Sequence, residues 1–269
     1  MQKTILITGS TDGIGLETAK MLIAEGHKVL VHGRNKTKLE RVAGELSRFG
    51  GAGSVESYVS DLSIMAEVVR LAAEVAEKHD SLDVLINNAG VYRVSATASP
   101  DTLDVRFAVN TIAPYLLTKK LLPLLGGSGR VVNLSSAAQA PLNPQDLNGV
   151  SAHNDGMAYA QSKLALTMWS AAMADSLGAD GPVVVAVNPA SMLGSKMVKE
   201  AYGVDGADLR IGADILRRAA LSDEFAAASG KYFDNDSGRF SSPHPDASNP
   251  QKCAEVVSVI ENVLARFSN

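Results

Sequence analysis

Short apolar runs alternate with longer stretches of helical periodicity along the whole chain. Thr4–Thr8, Lys28–His32 and Ser54–Val59 are brief and bounded by turn-forming residues, which predicts strands. Leu82–Ile86 is apolar almost throughout, as a strand covered on both faces should be. Arg130–Leu134 and Val183–Val187 predict two more buried strands, and Lys231–Phe233 a last short one. Between them, Ile14–Ala24 places Ile14, Ala19, Leu22 and Ile23 at helical spacing and stops before Gly26. Lys36–Phe49 predicts a charged, exposed helix and Ile64–Lys78 another. Thr102–Leu125 predicts a long helix that Pro114, lacking an N–H, kinks or interrupts. A helix around Tyr159 and a final one over Gln251–Phe267 complete the series. Strands alternating with helices give βαβ units, hence an α/β fold with a doubly wound parallel sheet and helices on both faces. No internal repeat or low-complexity linker divides the chain, so residues 1–269 predict one domain.

Two segments break the alternation. Pro141–Gly156 is rich in Asn, Asp, Gly and Pro, and Ala190–Gly230 holds only weak helical stretches. Both follow strands at their carboxyl ends, where open α/β sheets place ligands, so both are expected to shape a substrate site.

Composition narrows the class. With 46% hydrophobic and 20% charged residues the 269-residue chain reads as a globular domain. A net charge of −4 offers no basic footprint for nucleic acid. No apolar stretch approaches the roughly 20 residues needed to span a bilayer. The N-terminal apolar run is too short for a signal peptide, and a cytoplasmic location is expected. Cys253 is the only cysteine, which excludes an intramolecular disulfide, and it reads as an ordinary helix residue.

The chemistry concentrates in two places. Tyr159 and Lys163 stand four apart on a predicted helix and share one face. A free phenol titrates near about pH 10, and a neighbouring ammonium favours the phenolate and lowers that value. Gly9-x-x-x-Gly13-x-Gly15 lies between the first strand and the first helix. Glycines there allow a tight turn and a close backbone approach to a pyrophosphate, which the helix N-terminus attracts. A tuned proton donor beside a dinucleotide cradle points to hydride chemistry at a C–O centre.

The glycine spacing, Asn87-Asn88-Ala89-Gly90 after the fourth strand and the Tyr159/Lys163 pair together resemble the short-chain dehydrogenase/reductase family. The resemblance covers nearly the whole chain. It implies a single Rossmann-like domain of about seven parallel strands and NAD(P)-dependent oxidoreductase activity. It assigns a catalytic tetrad to Asn110, Ser136, Tyr159 and Lys163, with Ser135 the neighbouring alternative to Ser136. Ser136 and Tyr159 would donate hydrogen bonds to the substrate oxygen, Tyr159 would be the general acid or base, and Lys163 would also hold the nicotinamide ribose. Asn110 would position a water that links Lys163 to bulk solvent. The same resemblance sets Gly9, Ser10, Thr11, Asp12, Gly13, Ile14, Gly15, Asn87, Ala89, Gly90, Pro189, Ala190 and Met192 at the cofactor, with Asp61-Leu62 at the adenine. Ala190 replaces the family's glycine in Asn188-Pro189-Ala190, which is awkward only if the backbone there has positive φ. Ser195 resembles the residue that meets the nicotinamide carboxamide or the pyrophosphate, with Gly194 in the commoner position. No metal is expected.

An NAD site usually ends strand two with a carboxylate for the ribose 2′-hydroxyl. None occurs from Lys28 through Leu39, whereas Arg34 is suited to a 2′-phosphate, so NADP(H) is the expected cofactor. Ser136 and Tyr159 stand 23 positions apart. That long interval resembles the subgroup holding retinol dehydrogenases, WW-domain oxidoreductase relatives and protochlorophyllide reductases. The expected activity is interconversion of a carbonyl and an alcohol, with Met192, Leu193 and Met197 suggesting a fairly apolar small molecule. A non-catalytic cofactor-binding regulator or scaffold of the same fold is the alternative, and a sugar-nucleotide epimerase or dehydratase is the rival within the class. A homo-oligomer is compatible with the sequence.

Overall fold

The computed structural model describes residues 1–49 and 52–267. Thr4–Ile7 (β1), Lys28–Gly33 (β2), Ser54–Val59 (β3), Val84–Asn87 (β4), Arg130–Leu134 (β5), Val183–Asn188 (β6), Tyr232–Asp234 (β7) and Arg239–Ser241 (β8) form one sheet in the order β3-β2-β1-β4-β5-β6-β7-β8. The first seven run parallel, and β8 returns antiparallel to β7. This eighth strand is an addition to the about seven expected. Arg-Phe-Ser is too short to carry a period; it is held by its ladder with β7 and by Phe240, packed at 5.1 Å against Phe233.

Alternation along the strands sorts side chains to two layers. Ile5, Ile7, Val29 and Val31 pack with Gly13–Ala24 (α1), Lys36–Leu46 (α2) and Leu209–Leu221 (α8) on one face. Leu6, Leu30, Leu85 and Val131 meet Met65–Lys78 (α3), Ala113–Leu125 (α5), Asp155–Leu177 (α6) and Pro250–Ala265 (α9) on the other. Two short helices, Val105–Phe107 (α4) and Lys196–Tyr202 (α7), lie at the carboxyl ends of the strands. Chain order reverses between β1 and β4, and at that switch point the two crossovers diverge and leave a crevice.

The helix expected over Thr102–Leu125 is divided. Between α4 and α5, Ala108–Ile112 forms a π-turn in which the Ala113 N–H bonds Ala108 O, five residues back. Pro114 has no N–H to give the carbonyl of Asn110, four residues back, so the regular ladder fails at Asn110.

Candidate active site

One cleft of about 570 Å³ occupies the switch point. Its floor is the turn from β1 into α1. Asp12 caps α1 by accepting the Gly13 N–H at 2.8 Å. Gly13 holds φ +56°, and a Cβ there would face Ser195 Cβ across 4.0 Å. A Cβ on Gly15 would stand 2.4 Å from Asn88 Nδ2, so α1 approaches the end of β4 only because this residue is glycine. The first-turn N–H groups of α1 have no intrahelical acceptors and lie at the positive end of the helix dipole. Gly9, Thr11, Asp12, Gly13, Ile14 and Gly15 all border the cleft. Ser10 faces inward: fully buried, its hydroxyl donates to Ile7 O at 3.0 Å and accepts the His32 N–H at 2.8 Å. The Ser10 side chain is therefore engaged beneath the cleft, at the end of β2.

His32, unremarked in the sequence, supports this floor. It is 3% exposed; Nδ1 accepts the Gly9 N–H at 3.1 Å, and Nε2 meets Ser60 O at 3.0 Å and Ser60 Oγ at 2.9 Å. The ring is therefore neutral with its proton on Nε2, and burial pushes its pKa down to about 4. Its signal was a polar residue within a run of buried strand positions.

Beside it, Arg34 borders the cleft, exposed, and its guanidinium has no ion pair or hydrogen bond among the described residues. Lys38 lies close by with Nζ 2.7 Å from Asp12 Oδ2. Asp61 and Leu62 form the adjoining wall, the Asp61 carboxylate turning back to Ser63 N–H (2.9 Å) and Oγ (2.7 Å).

Ala89 and Gly90 border the cleft, whereas Asn87 does not: it donates to Thr118 Oγ1 (3.0 Å) and Asn133 Oδ1 (2.8 Å), tying β4 to α5 and β5. Asn88 takes the bridging role, donating from Nδ2 to Thr8 O (2.9 Å) and Gly9 O (3.0 Å).

Three of the four residues expected to form the tetrad, Ser136, Tyr159 and Lys163, line the cleft. Ser136 follows β5, half-buried at the cleft, while Ser135 is buried with Oγ 2.7 Å from Thr167 Oγ1. Of the two serines, Ser136 has the hydroxyl placed beside Tyr159. Tyr159 and Lys163 lie on α6, Lys163 Nζ 5.7 Å from the Tyr159 ring centre and donating to Leu134 O at 2.6 Å. Burial pushes the Tyr159 phenol up to about 12, against a smaller downward pull from the Ser136 hydroxyl. Burial likewise pushes Lys163 down to about 8. The Lys163 ammonium is engaged with the Leu134 carbonyl, and loss of hydration is the main reason the Tyr159 phenol is raised rather than lowered.

Asn110, in the π-turn, stands behind the cleft rather than on its surface. Oδ1 accepts the Val91 N–H at 2.8 Å; Nδ2 donates to Val91 O and Ser162 Oγ, each at 2.9 Å. Its side chain is thus committed to holding the segment after Gly90.

After β6, Pro189, Ala190, Met192 and Ser195 form the opposite wall. Ala190 has φ +114° and Met192 φ +54°, so the alanine in the glycine's place is strained. Ser195 caps α7, its Oγ accepting the Val198 N–H at 3.3 Å. Gly194 is closed off, since a Cβ there would stand 2.6 Å from Asp205 O. Of the 190–230 segment only residues up to Tyr202 face the cleft. None of 141–156 does: Leu147 is buried in the core beside α9, and Pro141 O accepts Gln161 Nε2 at 2.9 Å. Tyr92, Arg93 and Tyr202, which also border the cleft, were missed; an aromatic residue two places after Gly90 was the available signal.

These residues fit a dinucleotide. The helix N-terminus and Gly13 leave space suited to a pyrophosphate opposite Ser195, and the same cleft is lined by an unpaired guanidinium and a tyrosine–serine–lysine set. The sequence profile described as short chain dehydrogenase matches residues 3–203. The chain belongs to that family. Within it the similarity runs to the retinol dehydrogenase-like subgroup. Human retinol dehydrogenase 13 is 30% identical over 251 residues, 86% of this chain and 76% of that protein. Human polyprenol dehydrogenase is 36% identical over 192 residues, 68% of this chain but 58% of that protein's length. An uncharacterized protein from Mycobacterium paratuberculosis superposes with TM-score 0.79 at 28% identity, covering 97% of this chain and 93% of that one. A metagenomic short-chain oxidoreductase solved with NADP gives TM-score 0.63 at 30% identity, covering 81% and 90%. Among the described residues no helix of this short-chain dehydrogenase is long and apolar enough to cross a membrane.

Proposed function

We propose that this short-chain dehydrogenase is a cytoplasmic, NADP(H)-dependent enzyme that interconverts a carbonyl and an alcohol on a small, fairly apolar molecule. The observation that carries the reading is the meeting of Ser136, Tyr159 and Lys163 in the same cleft as the N-terminus of α1. Bound there, the nicotinamide would supply or accept the hydride. Ile14 and Gly15 would hold the pyrophosphate through their N–H groups, with Gly13 leaving room for its approach, and Arg34 would hold the 2′-phosphate. NADP in the metagenomic relative's crystal supports the cofactor choice, and relatives named for retinol and polyprenol support an alcohol or its carbonyl.

The protein's own residues divide the rest of the work. A phenol at about 12 keeps its proton through neutral pH, so Tyr159 is ready to donate it to an oxygen gaining negative charge. The Ser136 hydroxyl donates to the same oxygen, where a fixed donor counts most as charge develops. Lys163, at about 8, exchanges protons near neutrality and is suited to restore the proton of Tyr159. Asn110 holds the Val91 segment that closes this end of the cleft. A panel of ketones and aldehydes, followed by loss of NADPH absorbance, tests the reading. Turnover with an apolar member is expected; tight NADPH binding without turnover of any carbonyl or alcohol would refute it.

A further inference from the structure

The aromatic residues over the cleft do more than close it. Tyr92 lies between the general acid and α7. On one side its ring meets that of Tyr159, centres 4.9 Å apart and planes at 63°, an edge-to-face contact. On the other it meets Tyr202, centres 6.1 Å apart. Next to it, Arg93 Nη1 donates to Glu200 O at 3.0 Å. The backbone beneath is fixed, because both the N–H and C=O of Val91 are held by Asn110. Room for the Tyr92 hydroxyl depends on Gly156, where a Cβ would approach it to 3.3 Å.

By contrast α7 is weakly founded. It is seven residues long and buries none of them. A helix that short does not persist without tertiary contacts, and those made by Tyr92 and Arg93 tie its C-terminal end to the body.

We propose that Tyr92 is a positioning residue that couples the seating of α7 to the orientation and hydration of the Tyr159 ring. The proposal rests on Tyr159 being the proton donor. With α7 seated, Tyr202 backs Tyr92, and Tyr92 packs against the Tyr159 ring while Ser136 fixes the hydroxyl end. With α7 lifted, Tyr92 loses its backing and more water reaches Tyr159, which is already partly exposed at the cleft. Burial is the main cause of the raised Tyr159 pKa, and the Tyr202 and Tyr92 phenols push the same way. The other groups around this cluster are Ser136 after β5, Lys163 and Asp155 on α6, Arg93 after β4 and Glu200 on α7. A wetter phenol ionises more easily, so reduction should fail at a lower pH once the contact is lost.

The test compares Tyr92→Ala, Tyr92→Phe, Tyr202→Ala and Tyr159→Phe in NADPH-dependent carbonyl reduction across pH, with NADPH affinity read separately by fluorescence. Tyr92→Ala should lower kcat about three- to tenfold, the range an aromatic pair spans, and move the alkaline limb of kcat to lower pH. Its NADPH affinity should be unchanged. Tyr92→Phe keeps the ring and should restore both kcat and the limb. Tyr202→Ala should move the limb the same way by less; because Tyr202 is 56% exposed, this variant folds and carries the test even if Tyr92→Ala does not. Wild-type kcat and pH profile in Tyr92→Ala or, failing that variant, Tyr202→Ala, with Tyr159→Phe inactive, would overturn the coupling alone. Turnover by Tyr159→Phe would overturn the proton-donor reading and the coupling with it.

Discussion

At the scale of single residues, the cleft is governed by which polar groups have partners. Arg34 has none among the described residues and stands where β2 ends, while the nearby Asp12 is already paired with Lys38. A guanidinium–phosphate contact is charge-assisted, contributing roughly 1.5–3 kcal/mol. Arg34→Ala should therefore weaken NADPH binding by about one to two orders of magnitude and leave NADH nearly unchanged; an unaltered NADPH/NADH ratio in titrations would exclude the contact. His32 is the opposite case, a buried ring with every nitrogen engaged. Its pKa is near 4 when folded and near 6.5 when exposed. The unfolded chain thus takes up this proton first, and stability is lost as pH falls from about 6.5 towards 4, with a slope of up to about 1.4 kcal/mol per pH unit. Denaturant titrations of His32→Asn should show a slope smaller by about one proton over that window, and an equal slope would mean that the ring is charged in the folded protein. Neither His32 nor Ser10 announced its role in the sequence. Period-two patterning says that a strand residue is buried but not what its polar atoms meet, and Ser10 fits the glycine motif whichever way its hydroxyl turns.

At the scale of elements, the strands and helices were legible because their apolar spacing is dense and their ends carry glycine, asparagine or proline. The division of the long helix was legible only in part. Pro114 marks an interruption, but that the break is a π-turn centred on Asn110 follows from a missing N–H four residues on, and from Val91 waiting to take the Asn110 carboxamide. Pro114→Ala supplies the missing donor. The gained hydrogen bond, about 0.5–1.5 kcal/mol, and the lost restriction of the unfolded chain, about 0.4–1 kcal/mol, nearly offset. Thermal stability should change little, while kcat falls severalfold as the turn tightens and draws Asn110 from Val91. An unchanged kcat would show that the shape of this turn does not matter to the site. In the 141–156 segment, composition marks a loop but does not show that Leu147 is buried in the core beside α9.

At the scale of the whole molecule, the reversal of strand order between β1 and β4 brings residues more than a hundred positions apart into one cleft. The glycine turn and the wall after β6 were legible because each follows the carboxyl end of a strand, and Tyr159 because Lys163 stands four residues on along one helix. Tyr92 and Tyr202 were not, since their meeting depends on how α7 folds back. On the far side, α9 crosses α5 and α6, with Glu261 taking both Tyr115 Oη (2.5 Å) and Lys119 Nζ (2.6 Å). What unites the molecule is one cleft that brings the glycine turn and the half-buried Tyr159 together. The most direct measurement is kcat and NADPH affinity of Tyr159→Phe beside the unaltered protein, with an apolar carbonyl as substrate. Tyr159→Phe removes the hydroxyl but keeps the ring against Tyr92. The account predicts that turnover falls by about two to four orders of magnitude, the usual share of a general acid, with NADPH bound as before. Turnover retained within a factor of a few would contradict it.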